Sequence, residues 1–104
     1  NLSDVSFYND SIGWAIGLAG TILKTINGGA QWLAQASNTP YNLFKCSFIS
    51  AQIGWIVGDN GVILKTTDGG DHWIPQTSNT TKFLYNVHFI NSNTGWAVAG
   101  SRRG

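Results

Sequence analysis

The chain has 104 residues, its formal net charge is +1 at pH 7, and only 11% of its residues are charged. This length allows one small domain with a modest core. A net charge so close to zero provides no basic field for nucleic acid, which argues against nucleic-acid binding. No stretch approaches the roughly 20 apolar residues that cross a bilayer, so we expect no membrane span.

Low charge and frequent Asn, Ser and Thr are common in proteins outside the cytoplasm, so we expect an extracytoplasmic location. Cys46 is the single cysteine and cannot form an intrachain disulfide; its apolar neighbours predict a buried core residue. The chain starts at Asn1 and contains no Met. We therefore expect that a leader has been removed or that the chain is a piece of a longer polypeptide.

The sequence repeats itself every 41 residues. The Gly-Trp pair occurs at 13–14, 54–55 and 95–96, and the Lys-Thr pair occurs at 24–25 and 65–66. This period divides the chain into a first unit, a second unit and half of a third, which span 2–42, 43–83 and 84–104. Internal repetition at such a period is the mark of a repeat architecture.

In chain order, the second unit predicts four short strands, at 43–49, 54–58, 62–66 and 72–77. Alternation in the first strand puts Cys46 and Phe48 on one face. The second and third strands are joined by "GDNG" (58–61), whose residues tolerate the positive φ of a tight hairpin. Pro75 indicates that the fourth strand lies at an edge, because proline cannot donate to a ladder.

Four antiparallel strands in about 41 residues, repeated without gaps, predict a β-propeller blade. Residues 1–104 are therefore interpreted as an all-β partial propeller of about two and a half blades. Because rings have four to eight blades, we expect further blades, from the same polypeptide or from a second chain. A fragment that closes by assembling with copies of itself is the alternative.

Two copies of one turn motif stand between the third and fourth strands, "TINGGAQW" (25–32) and "TTDGGDHW" (66–73). In each, a side-chain oxygen can accept bonds from backbone N–H groups about two residues on, two glycines permit unusual backbone angles, and a tryptophan can fold beneath. We assign a structural role to these residues, which are Asn27, Gly28, Gly29, Trp32, Asp68, Gly69, Gly70 and Trp73. Asn27 stands where the second copy has Asp68, and we expect its turn to be slightly looser.

No catalytic residue, metal site or cofactor is expected. The chain lacks Glu, and "DGGD" (68–71) provides only two of the many oxygens that calcium takes. Glycoside hydrolysis generally needs two carboxylates that flank the bond, and we find no such pair. The spacing of His72 and His88 fits no common zinc motif.

The turn motif resembles the Asp box (BNR turn) of sialidase-like propellers. The register of G-W, G-x-x-G, I-L-K-T and G-G-x-x-W, present twice, is similar to the repeat of the Ycf48/Hcf136 family of photosystem II assembly factors. The resemblance covers essentially the whole chain. It implies a non-catalytic propeller that binds a protein partner, a photosystem II component, with the thylakoid lumen, the periplasm or the secreted medium as its location.

The resemblance also implies an arginine-rich surface for the partner, and we assign partner binding to Arg102 and Arg103. The alternative for this pair is a solvated loop. Two other function classes stay open: a carbohydrate-binding or glycoside-hydrolase propeller, whose partner would be a glycan, and a self-assembling extracellular structural protein.

Overall fold

A computed structural model describes residues 2–91 and 94–100 of the chain, and within these residues the regular structure consists of ten β-strands and two single 3₁₀ turns. The first sheet contains β1 (Leu2–Phe7), β2 (Gly13–Gly17), β3 (Ile22–Thr25) and β4 (Leu33–Gln35). The second contains β5 (Leu43–Phe48), β6 (Gly54–Gly58), β7 (Ile63–Thr66) and β8 (Ile74–Gln76). The third contains β9 (Phe83–Phe89) and β10 (Gly95–Gly100).

Each sheet is antiparallel, and its strands lie side by side in chain order. The predicted all-β architecture of two complete propeller blades and the inner half of a third is therefore confirmed over the described residues. We call the three sheets blade 1, blade 2 and blade 3. Over the same residues, no helix has the length and apolar character needed to cross a membrane.

A single 3₁₀ turn joins the second and third strands of each complete blade, at Leu18–Gly20 and at Asp59–Gly61. Asn60 takes a φ of 58° in the second turn, as expected for a residue that tolerates the left-handed region. Ala19 takes the same conformation, with a φ of 57°, although alanine rarely does. The hairpin geometry therefore overrides the local preference of the sequence.

The blades are held face to face by stacked aromatic rings. The ring of Trp14 in blade 1 lies on that of Phe48 in blade 2, with centroids 3.5 Å apart and planes within 7°. Trp55 of blade 2 lies in the same way on Phe89 of blade 3, at 3.6 Å and 3°. Each pair removes two large apolar faces from water, which is the principal driving force for stacking the sheets.

The apolar core follows these stacks. Between blades 1 and 2 the buried residues are Trp14, Ile16, Ile22, Leu43, Cys46, Ile56, Leu64 and Trp73. Between blades 2 and 3 they are Trp55, Val57, Leu84 and Val87. Both faces of blade 2 are thus covered, whereas Trp96 of blade 3 is 59% exposed over the described part of the chain.

A glycine precedes each stacked tryptophan, because the phenylalanine of the paired strand lies across that glycine. A Cβ atom on Gly54 would collide with the ring of Phe48, its partner in the β5–β6 ladder. Gly54 is required here for clearance, because only a residue without a side chain lets the ring lie flat against the backbone.

A β-bulge recurs at one position in every blade. The ladder register shifts between Leu2 and Asp4, between Leu43 and Lys45, and between Leu84 and Asn86, which pair with Ala99 and Val98. A bulge increases the local twist of a strand and re-aims its side chains. The first strand of each blade is therefore bent near its start, ahead of the phenylalanine at its other end.

We expect Phe48→Ala to destabilise the protein by about 3 kcal/mol, because the substitution removes the ring that Trp14 covers and leaves a cavity between blades. Urea unfolding, followed by far-UV circular dichroism, measures the change. Tyr41→Ala is the control, since Tyr41 is 40% exposed and substitutions at exposed positions generally change stability by less than about 0.5 kcal/mol. Equal losses in the two variants would contradict the stacking account.

Candidate functional site

The turn between β7 and β8 is closed by side-chain hydrogen bonds. The Thr66 hydroxyl donates to Asp68 Oδ1 at 2.9 Å and accepts the N–H of Gly70 at 2.8 Å. The same carboxylate oxygen accepts the backbone N–H of His72, also at 2.9 Å. The acceptor thus reaches the residue four positions on, farther than the two or so expected.

The turn between β3 and β4 has the same geometry, with Asn27 in place of the aspartate. Thr25 donates to Asn27 Oδ1 at 2.9 Å, and this oxygen accepts the N–H of Gln31 at 3.0 Å. Gly29 N–H donates to Thr25 at 3.0 Å. These lengths are nearly those of the second turn, so the expected loosening at Asn27 is not seen.

Backbone contacts attach each turn to its own blade. Gly69 N–H donates to the carbonyl of Gln52 at 2.9 Å, and Gly28 N–H donates to that of Ser11 at the same distance. Gly69 and Gly70 adopt φ angles of 75° and 95°, a region that glycine enters without steric strain. The turn is therefore pinned to the connection between the first two strands of the blade.

The tryptophan that follows each turn lies against the phenylalanine of its own blade. Trp73 is 3% exposed and meets the ring of Phe48 edge-on, with centroids 5.9 Å apart. Trp32 meets Phe7 in the same way at 5.9 Å and is partly exposed. The turn of blade 2 thus supports the aromatic interface with blade 1 as well as closing its own sheet, whereas Phe7 of blade 1 is 44% exposed.

His72 and Asp68 form an exposed ion pair, with Nδ1 and Oδ2 2.6 Å apart. The hydrogen bond from the His72 side chain lowers the pKa of Asp68 to about 2. The same bond, followed by the charge of Asp68, raises the pKa of His72. Both groups therefore favour their charged forms, and the hydrogen bond between them helps to hold the turn.

Cys46 lies at the junction of blades 1 and 2. Its backbone N–H donates to Asp4 Oδ2 at 3.3 Å, and its thiol lies 3.7 Å from the same oxygen. Burial, followed by the charge of Asp4, raises the pKa of the Cys46 thiol to about 12. The thiolate that a nucleophile needs is therefore scarce at neutral pH.

A half-open cavity of about 370 Å³ lies between the outer part of blade 1 and the turn of blade 2. We call it the interblade groove; its lining includes Lys24, Ile26, Gln31, Leu33, Gln35 and Asp71. The sequence did not predict this groove, because its lining residues together form no recognisable binding motif. The one usable signal was a lysine that recurs at 24 and 65 inside an otherwise apolar strand.

Two other features bear on function. Over residues 2–91 and 94–100, no group of three or more His, Cys, Asp or Glu side chains is placed to hold a metal ion. Arg102 and Arg103, which the sequence assigned to partner binding, lie outside the described residues.

Stacked four-stranded sheets, each closed by an Asp-box turn, define the chain as part of a β-propeller of the Asp-box repeat class. The sequence profile described as photosynthesis system II assembly factor YCF48 matches residues 1–77 and 41–103. The chain therefore belongs to the YCF48 family. No curated protein matches it.

Solved structures similar to the chain include two of YCF48. One, described as YCF48 bound to D1 peptide, is 25% identical with a TM-score of 0.81, over 94% of this chain and 33% of that one. The other, YCF48 from Cyanidioschyzon merolae, is 27% identical with a TM-score of 0.79, over 94% of this chain and 34% of that one. The chain thus spans about a third of the length of these relatives.

We expect Thr66→Val to cost about 1 to 3 kcal/mol, because it leaves the buried Gly70 N–H without its acceptor and removes a donor to Asp68. Chemical unfolding measures the loss. Thr67→Val, at the exposed neighbouring position, is the matched control and should change stability by less than about 0.5 kcal/mol. If both variants unfold alike, the hydroxyl does not close the turn.

We expect Asp68→Asn to return the pKa of His72 toward its ordinary value of 6.5, while the turn persists as it does around Asn27. NMR titration of the imidazole measures this, with His88 as the internal reference signal.

In the unsubstituted protein the raised pKa of His72 means that the pair stabilises the turn below pH 6.5 and that this contribution is lost as the pH rises through the raised value. The lowered pKa of Asp68 means that its contribution is present above 3.8 and is lost as the pH falls toward 2. An unchanged His72 titration in the variant would contradict the assignment.

Proposed function

We propose that the chain is a non-catalytic, protein-binding module that acts in photosystem II assembly. The observation that carries this proposal is the family profile, which matches almost the whole chain. A solved relative of the same fold is described as bound to D1 peptide, and we take a polypeptide of that kind as the partner.

The chemistry of the described residues supports a role without catalysis. Asp68 is held by its turn, and Asp4 lies at the contact between blades 1 and 2. Asp59 accepts the N–H of Asn60 at 3.0 Å in a hairpin turn. These carboxylates are engaged in local structure rather than placed as a pair across a substrate site, as glycoside hydrolysis requires.

Location and contact surface follow from the same proposal. An assembly factor of this family would meet its partner outside the cytoplasm, in the thylakoid lumen of a photosynthetic cell. We retain Arg102 and Arg103 as partner-binding residues, since guanidinium groups pair well with the carboxylates of a polypeptide.

Titration of a D1 peptide into the full-length protein, produced as its source makes it, tests the proposal. We expect saturable binding by isothermal calorimetry, and much weaker binding of a peptide with the same composition in scrambled order. Paired Arg102→Ala and Arg103→Ala substitutions should weaken binding by about tenfold if the two residues contact the peptide. Equal heats from native and scrambled peptides would refute a D1-type partner.

A further inference from the structure

The interblade groove is formed by the meeting of two blades. The Gln35 side chain crosses from β4 to the turn of blade 2, where its amide donates to the Gly69 carbonyl at 3.2 Å. Gly70 leaves room for this crossing, because a Cβ atom there would collide with the Gln35 amide. The Gln35 side chain thus links the two blades at the groove, whose volume of about 370 Å³ lies in the range typical of ligand pockets.

The groove carries a lysine without a carboxylate partner. Lys24 is half-buried, and its ammonium lies 5.4 Å from the centroid of the Trp14 ring. Among the described residues, the ion pairs within 4.0 Å join Lys45 to Asp4 and His72 to Asp68, so neither Lys24 nor Asp71 is paired. A partly desolvated ammonium attracts an anion more strongly than one in bulk water.

Apolar surface stands beside this charge. Ile26 and Leu33 line the groove and are 65% and 62% exposed. Gln31 also lines the groove and adds an amide that can donate or accept a hydrogen bond. The negative Asp71 comes from the turn of blade 2 and is exposed, so water screens its charge more than that of half-buried Lys24. The groove therefore favours a carboxylate at Lys24 with an apolar group next to it.

The form of the ligand follows from the neighbouring strand. β4 is the outer strand of blade 1, so one of its edges is open over the described part of the chain. An exposed edge can pair with an extended peptide, whose side chains at positions i and i+2 point to one face. A carboxylate and an apolar side chain at this spacing would reach Lys24 and the Ile26–Leu33 surface together.

We propose that the interblade groove binds an extended peptide segment in which an acidic residue and a large apolar residue are two positions apart. Lys24 contacts the carboxylate, and Leu33 and Ile26 contact the apolar side chain. This inference rests on the proposed function, since it takes the chain to be a peptide-binding module, and it adds a site and a ligand chemistry that the family match does not specify.

The probe is a blocked pentapeptide of sequence Ser-Leu-Ser-Glu-Ser, titrated into the ¹⁵N-labelled full-length protein to about 10 mM, which detects millimolar affinity. We expect saturable NMR shifts of the Gln31 and Gln35 side-chain amides and of the Gly69 and Gly70 backbone amides. The same peptide with Gln in place of Glu should bind at least about tenfold more weakly. Absence of shifts, shifts elsewhere on the protein, or equal binding of the two peptides would overturn the proposal.

Three variants separate the charge from the apolar wall. Lys24→Gln and Leu33→Ser should each weaken binding of the acidic peptide by about tenfold, whereas Lys82→Gln, which removes a charge in an exposed loop, should leave it within about twofold. Leu33 is largely exposed, so Leu33→Ser tests the groove even if Lys24→Gln perturbs packing on Trp14. Loss of binding in the Lys82 variant as well would indicate a non-specific charge effect and would contradict the assignment of Lys24 to the carboxylate.

The D1 peptide titration distinguishes this inference from the proposed function. If D1 peptide binds equally well to the unsubstituted protein and to Lys24→Gln, and the pentapeptide does not bind, the proposed function stands and the groove assignment fails. If the pentapeptide binds through Lys24 and D1 peptide does not bind, the groove assignment stands and the D1-type partner fails.

Discussion

The structure depends on the face-to-face stacking of an aromatic pair between successive blades. Trp14 on Phe48 and Trp55 on Phe89 repeat the same geometry, with centroids 3.5 and 3.6 Å apart. Flat contact at this distance requires that the backbone behind the phenylalanine carry no side chain, which glycine provides at 54. A lysine ammonium caps each tryptophan at 5.4 Å from the ring centroid, where the electron-rich face attracts a cation.

The Asp-box turn extends this constraint to the outer part of each blade. Its buried threonine and its Asp or Asn close the loop. In blade 2, Trp73 packs edge-on against Phe48, the ring that Trp14 of blade 1 covers. The turn of blade 2 also presents the Gly69 carbonyl to Gln35 of blade 1. One motif therefore closes a sheet, supports the aromatic interface and forms a wall of the interblade groove.

Much of this architecture is predictable from the sequence because each unit places the same residue types at the same positions, so that each forms the same strands and turns. The four strands predicted for the second unit differ from β5 to β8 by at most two residues at either end. The residue types of the Asp box indicate their structural roles, because a small side-chain acceptor, two glycines and a tryptophan are typical of a tight turn closed over an aromatic ring. A similar argument gave a buried Cys46, which lies at the contact between two blades.

The remainder could not be predicted because it depends on backbone geometry, or on packing between units, that no residue type marks. The bulge skips Ser3, Phe44 and Tyr85, which share no distinctive residue type, so the sequence does not mark its position. Ala19 shows no local sign of its positive φ. The groove combines Lys24 and Leu33 of one blade with Asp71 of the next, and only the packing of two sheets brings them together.

The equal chain distance from Trp14 to Phe48 and from Trp55 to Phe89 has a consequence for how such proteins change in evolution. A gene that gains or loses one whole 41-residue unit keeps every ring opposite a partner, since each unit supplies one ring to the unit before it and one to the unit after. An insertion of a single residue within a strand instead turns its side chains to the opposite face and separates the pair. Duplication of complete units is thus the genetic change that this packing tolerates best.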